Sequence, residues 1–130
     1  MRSLIQVANP STQAVAVNSI IPLGSVQRRF GCNCKLSGNA IEIAGGGYYT
    51  VNASVSIEPT GAGDVTVALF VNGTQLPGAI AYGTGTAGDP LTLPIVTTIR
   101  QGCDSTDNLT LMLLAGAGNV VNESMRVERA

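Results

Sequence analysis

Between residues 48 and 58 apolar and polar side chains alternate without a break. Tyr49, Val51, Ala53, Val55 and Ile57 fall on one face, and Tyr48, Thr50, Asn52, Ser54 and Ser56 on the other. That two-residue period predicts a strand with one face in a core and one face wetter. Three glycines (45–47) precede it and Pro59-Thr60-Gly61-Ala62-Gly63 follows, both turn signals. A second strand is predicted over residues 64–71, with Val65, Val67, Leu69 and Val71 inward. Asn72-Gly73 then marks a tight hairpin, because both central residues of a type I′ turn need positive φ. The return strand, residues 74–80, contains Pro77, which predicts an edge or a bulge.

A glycine-rich link (83–88) leads to a strand over 91–100, with Leu91, Leu93, Ile95 and Ile99 on one face. Residues 104–108 are expected to form a polar loop. Residues 109–115 are apolar on both faces, which predicts burial on both sides. A turn at 116–119 opens the last strand, 120–128. The first forty residues carry weaker signals: short strands at 4–7, 14–17 and 20–23, a loop or strand end at 28–31, and a strand at 40–43 paired across the glycine turn. Apolar residues at helical spacing are not sustained anywhere. The expectation is an all-β sandwich of eight to ten short antiparallel strands, favoured over a barrel by strand count and spacing.

Composition sharpens this. A chain of 130 residues fits one domain. Aromatics are 4% and Trp is absent, so the core must be built from Val, Ile, Leu and Ala. Charged residues are only 12%, with a net charge of -1. No basic field exists to hold a nucleic-acid backbone or an anionic membrane surface. So little charge on a small domain points to surface covered by another subunit. The short apolar run 3–7, stopped by Asn9-Pro10, is too short for a signal-peptide core or a membrane span, so synthesis in a reducing cytosol is expected. Cys32, Cys34 and Cys103 then read as free thiols; the first two share a face if they lie on one strand.

Chemistry-bearing patterns are sparse. With no His there is no Ser-His-Asp or Cys-His dyad, and Cys32 or Cys34 would need Arg28 or Arg29 to become nucleophilic. No enzyme activity, cofactor or metal site is expected. Asp104 and Asp107 share a loop, but without calcium-loop spacing, so a solvated turn is the expected reading. The 45–47 glycines lack the Lys and helix of a phosphate loop. Sequons at Asn52, Asn72, Asn108 and Asn122 are at chance frequency in a chain so rich in Asn, Ser and Thr, and are expected to stay unmodified.

Two segments resemble a known family. Ile41-Glu42-Ile43-Ala44-Gly45-Gly46-Gly47-Tyr48-Tyr49 running on to Ile57 is similar to the central strand pair of jelly rolls related to tumour necrosis factor (TNF) and complement C1q. Val65 to Gly78, with its Asn72-Gly73 turn, resembles the following hairpin in bacterial and phage members. The similarity covers about residues 40–128. The whole chain, with Val7-Ala8-Asn9 and Ile21-Pro22-Leu23-Gly24, also resembles small head-fibre or capsid-decoration proteins of tailed phages, and the C-terminal domains of collagen-like spore-surface proteins, though no Gly-X-Y run is present. The resemblance implies a TNF/C1q-like jelly roll and a homotrimer. It further implies a structural or adhesive virion protein, made in the host cytoplasm and located in the virion. Its partners would be itself, other capsid or virion proteins, and host-surface glycans. The rival expectation is a carbohydrate- or receptor-binding module, for which Tyr48, Tyr49 and Tyr82 are the available stacking rings.

Alternation also nominates an oligomer interface. Phe70, Val96, Met112 and Leu114 point away from the inward residues of their strands, and Tyr48 lies on the wetter face of its own. A one-residue change of register would exchange all these faces. Residues 1–37 are expected to supply short strands acting as an edge or an anchor, with 1–17 packed rather than hanging free, and 38–130 the main sandwich.

Overall fold

The structure, a computed structural model, describes residues 3–102 and 106–129. The described residues form twelve strands and no helix. These are β1 (Ser3–Asn9), β2 (Gln13–Val15), β3 (Ser19–Ile20), β4 (Ser25–Phe30), β5 (Cys34–Ser37) and β6 (Ala40–Ala44), then β7 (Gly47–Pro59), β8 (Gly63–Val71), β9 (Thr74–Gly85), β10 (Leu91–Gln101), β11 (Thr106–Ala115) and β12 (Gly118–Arg129). They make two antiparallel sheets. The first has the order β10-β7-β12-β1-β4, with β2 added to β12; the second has β5-β6-β11-β8-β9, with β3 added to β11.

The long alternating segment is the centre of the first sheet. β7 pairs with β10 on one side and β12 on the other, and Tyr49, Val51, Ala53, Val55 and Ile57 are all buried. Facing them are Val65, Val67 and Leu69 of β8 and Leu109, Leu111 and Leu113 of β11, so one aliphatic core fills the space between the sheets. Of five aromatic rings only Tyr49 is buried. Its hydroxyl serves the carbonyl oxygens of Ala44 (3.0 Å) and Gly45 (2.9 Å), which pins the glycine turn to the core.

The Asn72-Gly73 turn has positive φ at both positions (52° and 81°). Asn72 is more than a turn residue. Its Nδ2 donates to Asp107 Oδ1 (2.7 Å), and its Oδ1 accepts the Asn108 N–H (2.9 Å), tying the β8–β9 hairpin to the start of β11. Pro77 lies on the edge strand β9, in a bulge where residues 76–79 are spanned by the pairs Ala68↔Ile80 and Phe70↔Gln75.

Several expectations need correction. Twelve strands replace eight to ten, partly because β2 and β3 are three and two residues long. β1 is not an edge. It is paired on both sides, to β12 and β4, and the edge falls to β4, the segment expected to be a loop or strand end. Cys32 lies in a turn and only Cys34 is in β5, so the two do not share a strand face. The link 83–88 is partly strand, since β9 continues to Gly85 opposite Gly63. Residues 106–108 open β11 rather than a loop; Cys103 and Asp104 lie outside the described residues. The outward residues of β11, Met112 and Leu114, are half-buried within the single chain, not covered on both sides.

Candidate interaction surfaces

The five nominated interface residues divide between opposite faces of the sandwich. Tyr48 and Val96 stand on the outer face of the first sheet, on adjacent strands; they are 57% and 68% exposed. Around them that face carries short polar side chains, Thr50, Asn52, Ser54 and Ser56 on β7 and Thr92 and Thr98 on β10, with the charged Arg100, Arg126 and Glu128 towards one end. A Ser56–Thr92 hydroxyl contact (2.9 Å) crosses the strand pair. At the edge of the same sheet every residue of β4 is exposed, including Val26 and Phe30, and Phe30 is 51% exposed. The sequence pattern around 28–31 gave no reason to nominate them, because a strand exposed on both faces has no alternation to read.

Phe70, Met112 and Leu114 lie on the outer face of the second sheet. Here strand pairing aligns Ile20, Met112, Ala68 and Ile80 in one row across β3, β11, β8 and β9. Phe70 flanks the row on one side. On the other lie Leu114, at a bulge opposite Thr66, and Tyr82, paired with Thr66. Ile20 and Ile80 were not nominated from the sequence, and Tyr82 was named only as a stacking ring. The β9 bulge hides their register, and Ile20 sits in a two-residue strand.

At one end of the first sheet the last residues of β10 and β12 meet the start of β7 around an open pocket of about 470 Å³. Bare backbone at 46–47 and Gly102 forms part of its wall, with Tyr48, Arg100, Gln101 and Arg129 supplying side chains. Arg100 and Tyr48 are a direct cross-strand pair, as are Gln101 and Gly47. Arg129 Nη2 donates to the Gly46 carbonyl. A Cβ on Gly47, whose φ is 132°, would lie 3.1 Å from Arg129 Nε, so only glycine leaves the guanidinium its place against the backbone. The Gln101 side chain is buried, and both its amide atoms lack a hydrogen-bond partner.

A second unpartnered group lies deeper. Glu123 is fully buried, opposite Val55 and Asn9, and neither carboxylate oxygen has a partner. Asn9 is already engaged: its Oδ1 accepts the Ser11 N–H and its Nδ2 donates to Pro22 O. Burial pushes the Glu123 carboxyl up to about 8.

Cys32 is exposed, while burial pushes the Cys34 thiol up to about 11 against the opposing pull of Arg29. Among the described residues no group of three or more Cys, Asp or Glu is placed to hold a metal ion, and no helix is long and apolar enough to cross a membrane.

No family model matches the sequence, and no curated protein matches it. Solved structures do. Murine APRIL, at pH 5.0, superposes with a TM-score of 0.78 at 9% identity, with 100% of both chains covered. The globular domain of zebrafish complement 1qA gives 0.72 at 10% identity, over 96% of this chain and 94% of that one. Eiger TNF from S. frugiperda gives 0.72 at 9% identity, over 100% and 92%. The fold is therefore a TNF/C1q-like jelly roll. At such identities the likeness carries the fold and nothing of the ligands.

Proposed function

We propose that this chain is a non-catalytic, self-associating jelly roll, a homotrimeric structural and adhesive protein of a phage particle. The observation that carries the reading is where the rings are: four of five aromatics lie outside a core that is already complete in aliphatic residues. Threefold closure adds a geometric requirement. Opposite faces of a flat sandwich point about 180° apart and would stack copies into an open filament, whereas a ring of three needs contacting patches inclined by about 60°. The outer face of the first sheet and its β4 edge are adjoining rather than opposite surfaces, since β4 ends that sheet. We therefore assign the threefold contact to Val96 on the face, meeting Val26 and Phe30 of a neighbour's edge, with Tyr48 left at its rim and open to solvent. Phe70, Met112 and Leu114, on the far side, are left for another virion protein.

The phage setting rests on the sequence resemblance of residues 41–57 and 65–78. Three linked copies would turn weak single contacts into useful avidity. Native mass measurement tests the assembly: three times 13.3 kDa is expected, falling to 13.3 kDa in Val96→Asp with the β-type spectrum kept, while Met112→Asp keeps the trimer mass. A wild-type monomer would overturn the proposal, and a monomeric Met112→Asp beside a trimeric Val96→Asp would move the contact to the second sheet. Absence of the chain from purified particles, read by mass spectrometry, would overturn the virion assignment. A carbohydrate-binding module is the second reading, favoured by the pocket beside Tyr48.

A further inference from the structure

We propose that the pocket at the end of the first sheet binds a carboxylate-bearing sugar, with Arg100 and Arg129 addressing the carboxylate and the ring of Tyr48 stacking on the pyranose. The inference gives a ligand class to the adhesive part of the proposed function and rests on that part alone, not on the threefold assembly.

Three features point the same way. The first is charge. The chain has only seven Lys and Arg, yet two of them line this pocket and, among the described residues, no Asp or Glu does. Glu128, on the same outward face across from Thr50, is held by Arg126 at 3.3 Å. A guanidinium offers paired N–H donors in a plane that matches a carboxylate, and two of them on one pocket favour an anionic guest.

The second is preparation. Arg129 is fixed by the Gly46 carbonyl and lies where any side chain at position 47 would crowd it. The glycines therefore keep the pocket wall low and the guanidinium in place before any ligand arrives. Such fixed donors lose less freedom on binding than a mobile surface arginine would.

The third is what a bare anion would leave unused. Tyr48 is more than half exposed and directly paired with Arg100, so an amphipathic ring stands beside the charge. Gln101 at the pocket wall carries an amide whose donor and acceptor are both unmade. An unpartnered buried amide is an uncommon feature of a folded protein, and a small shift of the side chain toward the opening would offer it to a sugar hydroxyl. A guest with a carboxylate, several hydroxyls and one apolar ring face uses all of these; inorganic phosphate uses only the arginines. The volume of about 470 Å³ suits one monosaccharide unit and leaves the opening free for the rest of a polysaccharide.

The test is titration of the purified full chain with N-acetylneuraminic acid, glucuronic acid, glucose and inorganic phosphate, followed by amide chemical shifts, with native mass and melting temperature recorded on every sample. The two acidic sugars should bind at roughly millimolar strength per site and more weakly as salt rises, with shifts at residues 46–48 and 100–102. Arg100→Gln and Tyr48→Ala should each weaken them roughly tenfold without changing the melting temperature. Lys35→Gln, which removes a charge from the other sheet, should change nothing. The proposal is overturned if neither acidic sugar binds, if glucose binds as well as they do, or if phosphate binds equally and Tyr48→Ala has no effect. A monomeric chain that binds the acidic sugars overturns the assembly and keeps this site; a trimer that binds neither removes the site and keeps the assembly.

Discussion

Glu123 makes the sandwich sensitive to pH in a direction opposite to that of most proteins. In the unfolded chain its carboxyl titrates near 4.5, and in the fold near 8, because no donor or cation compensates its burial. Below about pH 4.5 both states hold the proton and nothing is lost. Between 4.5 and 8 the unfolded state releases it while the folded state keeps it, so stability falls as pH rises, by about 1.4 kcal/mol per unit. Above 8 both are ionised and the loss is constant. At pH 7 the deficit is about 3 kcal/mol, growing to on the order of 5 kcal/mol above pH 8. Against a typical domain stability of about 5–15 kcal/mol that is a large share.

The window is unusually clean, because the chain has no His to titrate within it. Urea unfolding at fixed protein concentration, from pH 5 to pH 9, should give a midpoint that declines towards pH 8 in the wild type. Glu123→Met removes the group at similar volume and should flatten the profile, raising stability at pH 8 by several kcal/mol while leaving pH 4.5 nearly unchanged. Glu123→Gln should flatten it as well, but with less gain, since its amide still lacks partners. A wild-type profile that is flat or rises from pH 5 to pH 8 would refute the reasoning, as it would mean that the carboxylate is ionised in the fold with a partner beside it.

Asn72→Ala should lose roughly 1–3 kcal/mol in the same assay, because it strains a positive-φ position and removes both hydrogen bonds to β11; Asn72→Gly should keep the turn and lose less. Deleting residues 1–17 should leave a chain without a cooperative unfolding transition, since β1 is paired on both sides and carries Ile5 and Val7 into the core; a truncated chain that melts like the full one would refute this. At pH 8, Ellman's reagent should modify Cys32 quickly and Cys34 only on unfolding, and equal fast rates would contradict the raised, buried Cys34 thiol.

Much of the second half of the fold was legible because alternation survives there. β7, β8 and β10 each show a period of two long enough to locate the core face, and Asn72-Gly73 marks its turn by backbone chemistry alone. β4 and β5 were not legible as strands. One is exposed throughout and the other is four residues with a mixed pattern. The split of the nominated interface has a different cause. Periodicity says which side of its own strand a residue occupies, and Tyr48, Phe70, Val96 and Met112 were each placed correctly as outward. It does not say which sheet the strand joins. That depends on pairings such as β7 with β12 and β6 with β11, between segments far apart in the chain. The pocket was hidden for the same reason: Tyr48, Arg100 and Arg129 come from three strands that meet only in the sheet.

One irregularity links the buried carboxylate to the pocket. In β12 the partner of Ile57 is Val120 and the partner of Ser56 is Asn122, so Val121 is an extra residue in the ladder. A bulge of one residue exchanges the faces of everything after it. Val120 is inward before it; after it Glu123, Met125 and Val127 are inward, and Arg129 shares their parity. Were Val121 instead paired in a regular ladder with no bulge, Asn122, Ser124, Arg126 and Glu128 would turn to the core, and Met125 and Val127 to solvent. The bulge that absorbs Val121 is thus needed to complete the aliphatic core, and two consequences ride on it. Glu123 is carried into the interior, where it finds no partner. Arg129 is turned towards the glycine turn, where it finds the Gly46 carbonyl and the pocket. A residue that destabilises the fold and a residue that prepares a binding site are therefore set by the same register, and deleting Val121, which leaves a regular ladder with the same partners and faces, should keep both in place.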